Sequence, residues 1–350
     1  MRFMKPIAWA SCIILVSCSD FWLGSNPRNT PTVTFDQLWS VFDRYYSAFE
    51  IRGVNWDSLY TVYRPIIRDD MTELQLFNAC EGLLAHLNDG HVYLLSPFKS
   101  AVSNAARQNA RPLNFDFENI KQTYLKSTIQ SDGHFVTGTP ATGIGYIWIP
   151  TFEDEDFARV DDWVKGLDDV LQTFENRDGM VIDVRNNGGG DASNAQAVAG
   201  RFADQKRLFS YGYSRNGPNR NDFSEPFAWY VKPTGKHRFL KTIVLLTNKR
   251  TASGAERFVL AMKALPQVIV VGDTTEGALP HALPRELPNG WVCRVTVGVV
   301  EGPDHRTYEG VGIPPDETVH ISSTDASQAK DTILERAIQL IHNPVRTVQR

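Results

Sequence analysis

The second half of the chain predicts an α/β fold with a largely parallel sheet. Short apolar, β-branched runs alternate with segments whose apolar residues recur every three or four positions. The first pattern is typical of buried strands, and the second of helices that pack on a sheet. Their regular alternation favours parallel pairing of the strands. The predicted strands span 144–149, 180–184, 242–247 and 268–272, and the predicted helices span 156–175, 193–204 and 254–265.

Two further stretches complete the α/β part, which we predict to span 141–345. Residues 205–240 are rich in Gly, Asn, Pro and aromatic residues and follow neither period. A connection of this length is uncommon unless it has a function, so we predict a loop that lines a groove. After a turn pattern at 287–291 the sequence alternates again, which predicts a terminal β element.

Residues 34–95 predict a small helical domain that precedes the α/β part. Aromatic and aliphatic residues recur there at helical spacing, and the simplest interpretation is that they form core. Each predicted helix follows a residue type that caps free N–H groups. The candidate caps are Thr34 with Gln37, Asn55, and Thr72 with Gln75. Residues 96–140 are polar and weakly patterned, which predicts a connector.

The N-terminus has the pattern of a secretory signal. Arg2 and Lys5 precede an apolar stretch at 7–16, which is too short to span a bilayer. The stretch ends in Leu-Val-Ser before Cys18, which resembles the lipobox of bacterial lipoproteins and implies lipidation of Cys18. An ordinary signal peptide with an incidental cysteine is the alternative. We expect a signal peptide at 1–17, a tether at 18–33, and an extracytoplasmic, membrane-anchored lipoprotein on the periplasmic or outer-membrane side.

Lipidation would leave Cys80 and Cys293 in the mature chain. A single pair in an oxidising compartment is able to form a disulfide. Cys80, however, falls on the apolar face of a predicted helix. We therefore expect it to pack as a small hydrophobic residue.

Composition and motifs exclude several classes of function. The chain has 350 residues and a net charge of −4, and no basic run offers a surface for nucleic acid. It lacks His-Glu-x-x-His and paired-cysteine spacings, so no metal is expected. The triple glycine at 188–190 is not followed by Lys-Ser/Thr, and Gly-x-Gly-x-x-Gly is absent, so no nucleotide cofactor is expected.

Ser253 is the candidate nucleophile. It lies in Thr-Ala-Ser-Gly-Ala-Glu, between the predicted strand 242–247 and a predicted helix. Small neighbours leave the hydroxyl open, and the free N–H groups of a helix start can stabilise an oxyanion. Serine is also a common helix cap, so this segment alone leaves both interpretations open.

Other segments occur in a fixed order around Ser253. They are Leu-Asn-Asp-Gly-His-Val-Tyr-Leu at 87–94, Gly-Tyr-Ile-Trp-Ile-Pro at 145–150, Val-Ile-Asp-Val-Arg-Asn-Asn-Gly-Gly-Gly at 181–190, Gly-Asp-Thr-Thr-Glu-Gly at 272–277 and Tyr-Glu-Gly-Val-Gly-Ile-Pro-Pro-Asp at 308–316. Together they resemble the S41 family of serine peptidases, the C-terminal processing and tricorn-core peptidases, over roughly residues 35 to 320. The resemblance implies a ClpP/crotonase-like α/β core.

The resemblance also implies a Ser-His-Glu site. Ser253 would attack, His91 would take its proton, and Glu309 would orient His91. Spacing alone does not choose among the histidines. The alternatives are His86, His281 and His305. The tricorn-type branch places its histidine at the Gly-His step, which selects His91.

Two glycines are expected to hold the oxyanion through their N–H groups. Gly254 follows the nucleophile directly. Gly189 is the second candidate, because related sequences often carry proline, which has no N–H, at the position of Gly188.

Departures from the family pattern indicate the tricorn-like branch. Processing peptidases use a lysine where this chain has Ala278, and Lys263 lies about 15 Å along the same helix from Ser253. Tricorn has serine where this chain has Gly90, which leaves a fourth polar residue of the site open. The connector at 96–140 is about half as long as a PDZ domain requires, so we expect none.

These features together predict a lipid-anchored extracytoplasmic serine endopeptidase that acts on peptides or unfolded proteins without a cofactor. A non-catalytic lipoprotein that binds hydrophobic ligands or glycans on the same fold is the main alternative, and an esterase is another. The oligomeric state is left open.

Overall fold

The computed structural model describes residues 27–105, 115–125, 130–131, 133–154 and 159–343. The predicted signal peptide and Cys18 lie outside these ranges. None of the helices in these ranges combines the length and the apolar character that a membrane span requires.

Helices and strands alternate along the second half of the chain, as predicted. The helices are α1 (Pro31–Tyr45), α2 (Trp56–Tyr63), α3 (Glu73–Ala85), α4 (Phe117–Thr123), α5 (Val160–Trp163), α6 (Lys165–Thr173), α7 (Ala192–Gly200), α8 (Gly254–Lys263), α9 (Ser323–Ser327) and α10 (Thr332–His342). The strands are β1 (Tyr93–Leu95), β2 (Ser100–Val102), β3 (Gln130–Ser131), β4 (Val136–Ala141), β5 (Ile144–Trp148), β6 (Gly179–Asp183), β7 (Arg207–Ser214), β8 (Phe227–Val231), β9 (Thr242–Thr247), β10 (Val268–Gly272), β11 (Ala282–Glu286), β12 (Val292–Thr296), β13 (Gly298–Glu301) and β14 (Glu317–Thr318).

The central sheet of the described chain has the strand order β14-β10-β9-β6-β5-β4-β3. Its strands run parallel from β14 to β5, whereas β4 and β3 pair antiparallel at one edge. The predicted α/β fold with a largely parallel sheet is therefore confirmed. Helices cover both faces, because the apolar strands present core residues on both sides. In β6, Met180 and Ile182 join one core while Val181 joins the other.

The N-terminal helices share a core with a second, antiparallel sheet of order β11-β12-β1-β2. Phe35 and Phe42 of α1 and Trp56 of α2 are fully buried in a cluster that includes Trp291 and Cys293. The helical unit predicted at 34–95 is thus packed on strands from the far end of the chain. Cys80 and Cys293 are both free thiols buried in this cluster.

Two predictions about helices require correction. The first helix begins at Pro31 with Thr30 as its cap, not at Thr34. Proline favours the first helical position, and the Thr30 hydroxyl accepts the Val33 N–H at 3.4 Å. The single helix predicted at 156–175 is two short helices, α5 and α6, in its described part. The capping box at Thr72 is confirmed.

The long loop predicted at 205–240 is wrong in part. It contains β7 and β8, which pair antiparallel and form a third sheet with β13. Glycine and serine within β7 hid its period, and one of its partners, β13, lies about 90 residues further along the chain. The described part of residues 96–140 forms β2, α4, β3 and most of β4, and contains no PDZ domain.

Candidate active site

Ser253 lies between the end of β9 and the start of α8, at the carboxyl edge of the parallel sheet. Its backbone has φ 54° and ψ −120°. Residues with a side chain rarely adopt this region, so the surrounding contacts must hold it. The strand-to-helix turn predicted from the sequence is therefore present, in a strained form.

Glu256 is the residue that holds this turn. Its Oε2 accepts the Ser253 N–H at 3.1 Å and the Ala278 N–H at 2.8 Å. Its Oε1 accepts the Thr275 hydroxyl at 2.5 Å and the Gly277 N–H at 2.7 Å. Burial is the main cause that raises the pKa of this fully buried carboxyl to about 7. Glu256 was not among the residues predicted for the site, although its spacing of three from Ser253 is the capping-box signal.

His91 reaches Ser253 from a distant part of the sequence. It follows α3 by a short turn, and its Nε2 lies 3.0 Å from Ser253 Oγ. His91 is 8% exposed, and its Nδ1 has no hydrogen-bond partner among the described residues. Burial lowers the pKa of His91, with Asp89 opposing the shift and Arg294 adding to it. A neutral imidazole of this kind is able to accept the serine proton near neutral pH.

Asp89 fixes the backbone beside His91. Its Oδ1 accepts the His91 N–H at 2.8 Å. Its Oδ2 accepts the hydroxyls of Tyr46 at 3.0 Å and Thr296 at 2.8 Å. Because Tyr46 follows α1 and Thr296 ends β12, the position of the histidine depends on how the helical unit packs against the second sheet.

Glu309 does not hydrogen-bond to His91. Its carboxylate accepts the Leu279 N–H at 3.1 Å and pairs with Arg52, which also donates to the Asn88 carbonyl. Burial, followed by the Asp89 charge, raises the pKa of Glu309 to about 8, and Arg52 opposes that shift. The direct Glu309–His91 contact expected from the sequence is therefore not made. Glu309 instead supports the turn before His91 through Arg52.

The expected oxyanion donors are only partly available. The Gly254 N–H has no acceptor among the described residues. Gly189 is packed against Ser253, so tightly that an added Cβ would lie 2.7 Å from Ser253 Cβ. Its N–H, however, donates to Asn187 Oδ1 at 2.8 Å. Gly188 has no described acceptor and lines the cavity at Ser253. Gly188 is therefore a further candidate for the second donor, beside Gly189.

A cavity of about 490 Å³ opens at this site and is lined by His91, Gly188, Ser253 and Ala278, among others. Lys263 binds Asp316 at 2.6 Å instead of approaching Ser253. Among the described residues, no group of three or more His, Cys, Asp or Glu could hold a metal ion.

The other candidate histidines lie elsewhere. His86 contacts Tyr63, and His305 contacts Glu301. His281 packs beside Gly298. The structure thus brings His91, alone among the four candidates, into hydrogen-bond distance of Ser253.

Comparison with known proteins supports the assignment made from the motifs. The model of peptidase family S41 matches residues 143–319, and that of the tricorn protease C1 domain matches residues 27–85. The chain belongs to peptidase family S41.

Its relatives include a candidate peptidase of Parabacteroides merdae with a known crystal structure, which is 31% identical in sequence to this chain. The two structures superpose with a TM-score of 0.84 over 92% of this chain and 100% of that one. A carboxyl-terminal-processing protease of Synechocystis sp. is 27% identical over 206 residues, which are 58% of this chain and 44% of the relative. The carboxy-terminal processing protease CtpB of Bacillus subtilis is 27% identical over 207 residues, 57% of this chain and 38% of the relative. The chain thus spans less than half the length of these curated relatives.

Proposed function

We propose that this protein is a serine endopeptidase that hydrolyses peptide bonds of unfolded or extended substrates. The observation that carries the proposal is the 3.0 Å contact between His91 Nε2 and Ser253 Oγ in an open cavity. The family, and the processing proteases among its relatives, support peptides as the substrate class.

The reaction begins when Ser253 Oγ attacks the peptide carbonyl carbon and His91 Nε2 takes the serine proton. The carbonyl oxygen becomes an oxyanion, and the N–H groups of Gly254 and Gly188 donate to it. His91 then gives its proton to the leaving amine, and the C–N bond breaks to leave an acyl-enzyme. Water, deprotonated by His91, releases the acyl group and restores the serine.

Asp89 and Glu276 stabilise the imidazolium that forms in these steps. Both carboxylates act on His91 in the direction that raises its pKa. Glu276 accepts from Asn104 and occupies the space beside Gly90, where a Cβ would lie 2.7 Å from its Oε1. A serine at position 90 would not fit there without movement. Glu276 therefore replaces the fourth polar group, and Glu309 acts only as a positioning residue through Arg52.

We further propose that the protein is held at a membrane surface by lipid on Cys18. The support is the lipobox-like sequence alone. Replacement of Cys18 by alanine should move active protein from the membrane fraction to the soluble fraction. A wild-type protein without lipid by mass spectrometry would contradict the anchor.

The peptidase proposal is tested with Ser253→Ala. The variant should lose hydrolysis of casein and labelling by a serine-reactive fluorophosphonate, because no other residue replaces the attacking oxygen. Ser58→Ala, which removes an exposed hydroxyl on α2, is the matched control and should retain both. Equal rates for Ser253→Ala and wild type would exclude Ser253 as the nucleophile. A wild-type protein without hydrolysis or labelling would favour a non-catalytic binding protein on this fold.

A further inference from the structure

Arg250 lines the catalytic cavity without an ion-pair partner in the part of the chain that the structure describes. It precedes Ser253 by three residues, in the turn after β9. Its backbone N–H donates to Asn248 Oδ1 at 3.0 Å, which fixes the start of the side chain. No described residue accepts a hydrogen bond from its guanidinium, and the Nε atom is buried. Leaving a buried donor unsatisfied costs free energy, so a ligand that supplies an acceptor is favoured there.

Asn186 adds a second donor to the same cavity. Its backbone has φ 60°, and its N–H donates to Asn248 Oδ1 at 3.0 Å. Its side-chain Oδ1 accepts Asn248 Nδ2 at 2.9 Å. Its Nδ2 has no acceptor among the described residues, and Asn186 lines the same cavity as Arg250. Arg250 and Asn186 are thus both bonded to Asn248, and each has side-chain N–H groups without an acceptor in the described chain.

Glu276 is the acidic residue of this cavity, but it does not neutralise Arg250. Its Oε1 accepts from Asn104 at 3.0 Å and packs against the backbone of Gly90, and the residue is 6% exposed. No ion pair joins it to Arg250, although both residues are described. The positive charge beside the nucleophile therefore has no carboxylate partner within the described chain.

We propose that Arg250 and Asn186 form a subsite for a carboxylate of the peptide close to the scissile bond. The guanidinium is suited to bidentate binding of a carboxylate, and the Asn186 amide adds one further donor. The carboxylate belongs either to an acidic side chain or to the free C-terminus of the peptide. This inference rests on the proposed peptidase function and adds a substrate preference to it.

The preference is measured with internally quenched peptides that differ at one position near the cleavage site, Glu against Gln, and with the C-terminal acid against its amide. Wild type should show a kcat/KM for one carboxylate form that is about tenfold or more above the neutral form, the range of a charge-assisted hydrogen bond. A Glu/Gln difference identifies an acidic side chain, and an acid/amide difference identifies the C-terminus.

Arg250→Gln should reduce this ratio to about 1, and Arg250→Lys should retain part of it because charge remains without the planar fork. Lys249→Gln is the matched control, since it removes the same charge from an exposed neighbour and should leave both rates unchanged. Turnover by wild type with no carboxylate preference, or an equal ratio in Arg250→Gln and wild type, would overturn the subsite alone.

Binding separates the subsite from the peptidase function. Fluorescence anisotropy with Ser253→Ala should show tighter binding of the preferred carboxylate peptide, and the added Arg250→Gln change should abolish the difference. Carboxylate-dependent binding without turnover by wild type would refute the peptidase function while supporting the subsite. Equal binding of acid and neutral peptides by Ser253→Ala would refute the subsite.

Discussion

Arg52→Met tests whether the buried pair with Glu309 supports the active site. Arg52 is 6% exposed and Glu309 is 1% exposed, and Arg52 also donates to the Asn88 carbonyl. Methionine retains much of the apolar stem but leaves both acceptors without this donor. Each of the two buried acceptors costs about 1–3 kcal/mol when it loses its donor, so we expect a loss of about 2–6 kcal/mol in the free energy of unfolding at pH 7.

The pH dependence gives the sharper test. Arg52 lowers the pKa of Glu309, which stands at about 8, so the variant should hold its Glu309 proton to higher pH. Above pH 8 the folded variant then keeps a proton on Glu309 that the unfolded chain has lost. Stability falls as pH rises when the folded state binds more protons, here by up to about 1.4 kcal/mol per pH unit. Folded wild type loses this proton as pH rises through about 8, so the deficit of the variant should widen above that pH.

Urea unfolding between pH 6 and 9.5 measures both effects. The additional Glu309→Gln change removes the titrating group, so the double variant should lose the widening of the deficit above pH 8. Activity should stay low in the double variant, because the tie to Asn88 near His91 is still missing. Arg64→Met, which breaks a pair that is 33% and 40% exposed, should cost at most about 1 kcal/mol and leave turnover unchanged. A deficit that does not depend on pH, or an Arg52→Met enzyme with wild-type turnover, would refute the reasoning.

Three further predictions concern the chemistry of the cavity. Gly188→Pro should lower kcat by about 10²–10³-fold, because it removes an oxyanion donor. Gly188→Ala should stay active, because its Cβ would meet nothing within 4 Å. An active Gly188→Pro enzyme would assign the second oxyanion donor to Gly189. The wild-type kcat/KM should rise with pH through a midpoint below 6.5, because burial lowers the pKa of His91 and only the neutral imidazole accepts the proton. A midpoint above 7 would contradict the assignment of His91 as the general base. Asp89→Asn should move that midpoint to lower pH and reduce kcat on the order of tenfold, since the charge that favours the imidazolium is removed. Glu309→Gln should not move the midpoint downward. A downward shift in Glu309→Gln but not in Asp89→Asn would restore Glu309 as the orienting acid.

The sequence by itself determined the features that depend on local periodicity. The strands at 242–247 and 268–272 coincide with β9 and β10, and the Thr72 capping box is present, because continuous apolar runs and capping involve residues close in the chain. The position of Ser253 at a strand-to-helix turn follows from the same local pattern. The role of His91 required more than spacing, since four histidines satisfied it equally and only the family resemblance selected one.

The tertiary structure decided the polar groups around that pair. Arg52 and Glu309 are 257 residues apart in sequence, and Arg52 belongs to no motif. No sequence pattern therefore indicated that Arg52 pairs with Glu309, the carboxylate that was expected to orient His91. The Gly189 N–H is used by a side chain two residues away, a detail set by loop dihedrals that sequence does not give. Buried charges and donors select their partners by distance after the helical unit has packed on the sheets. The sequence therefore specified the fold and the candidate nucleophile, and the packing specified which residues surround it.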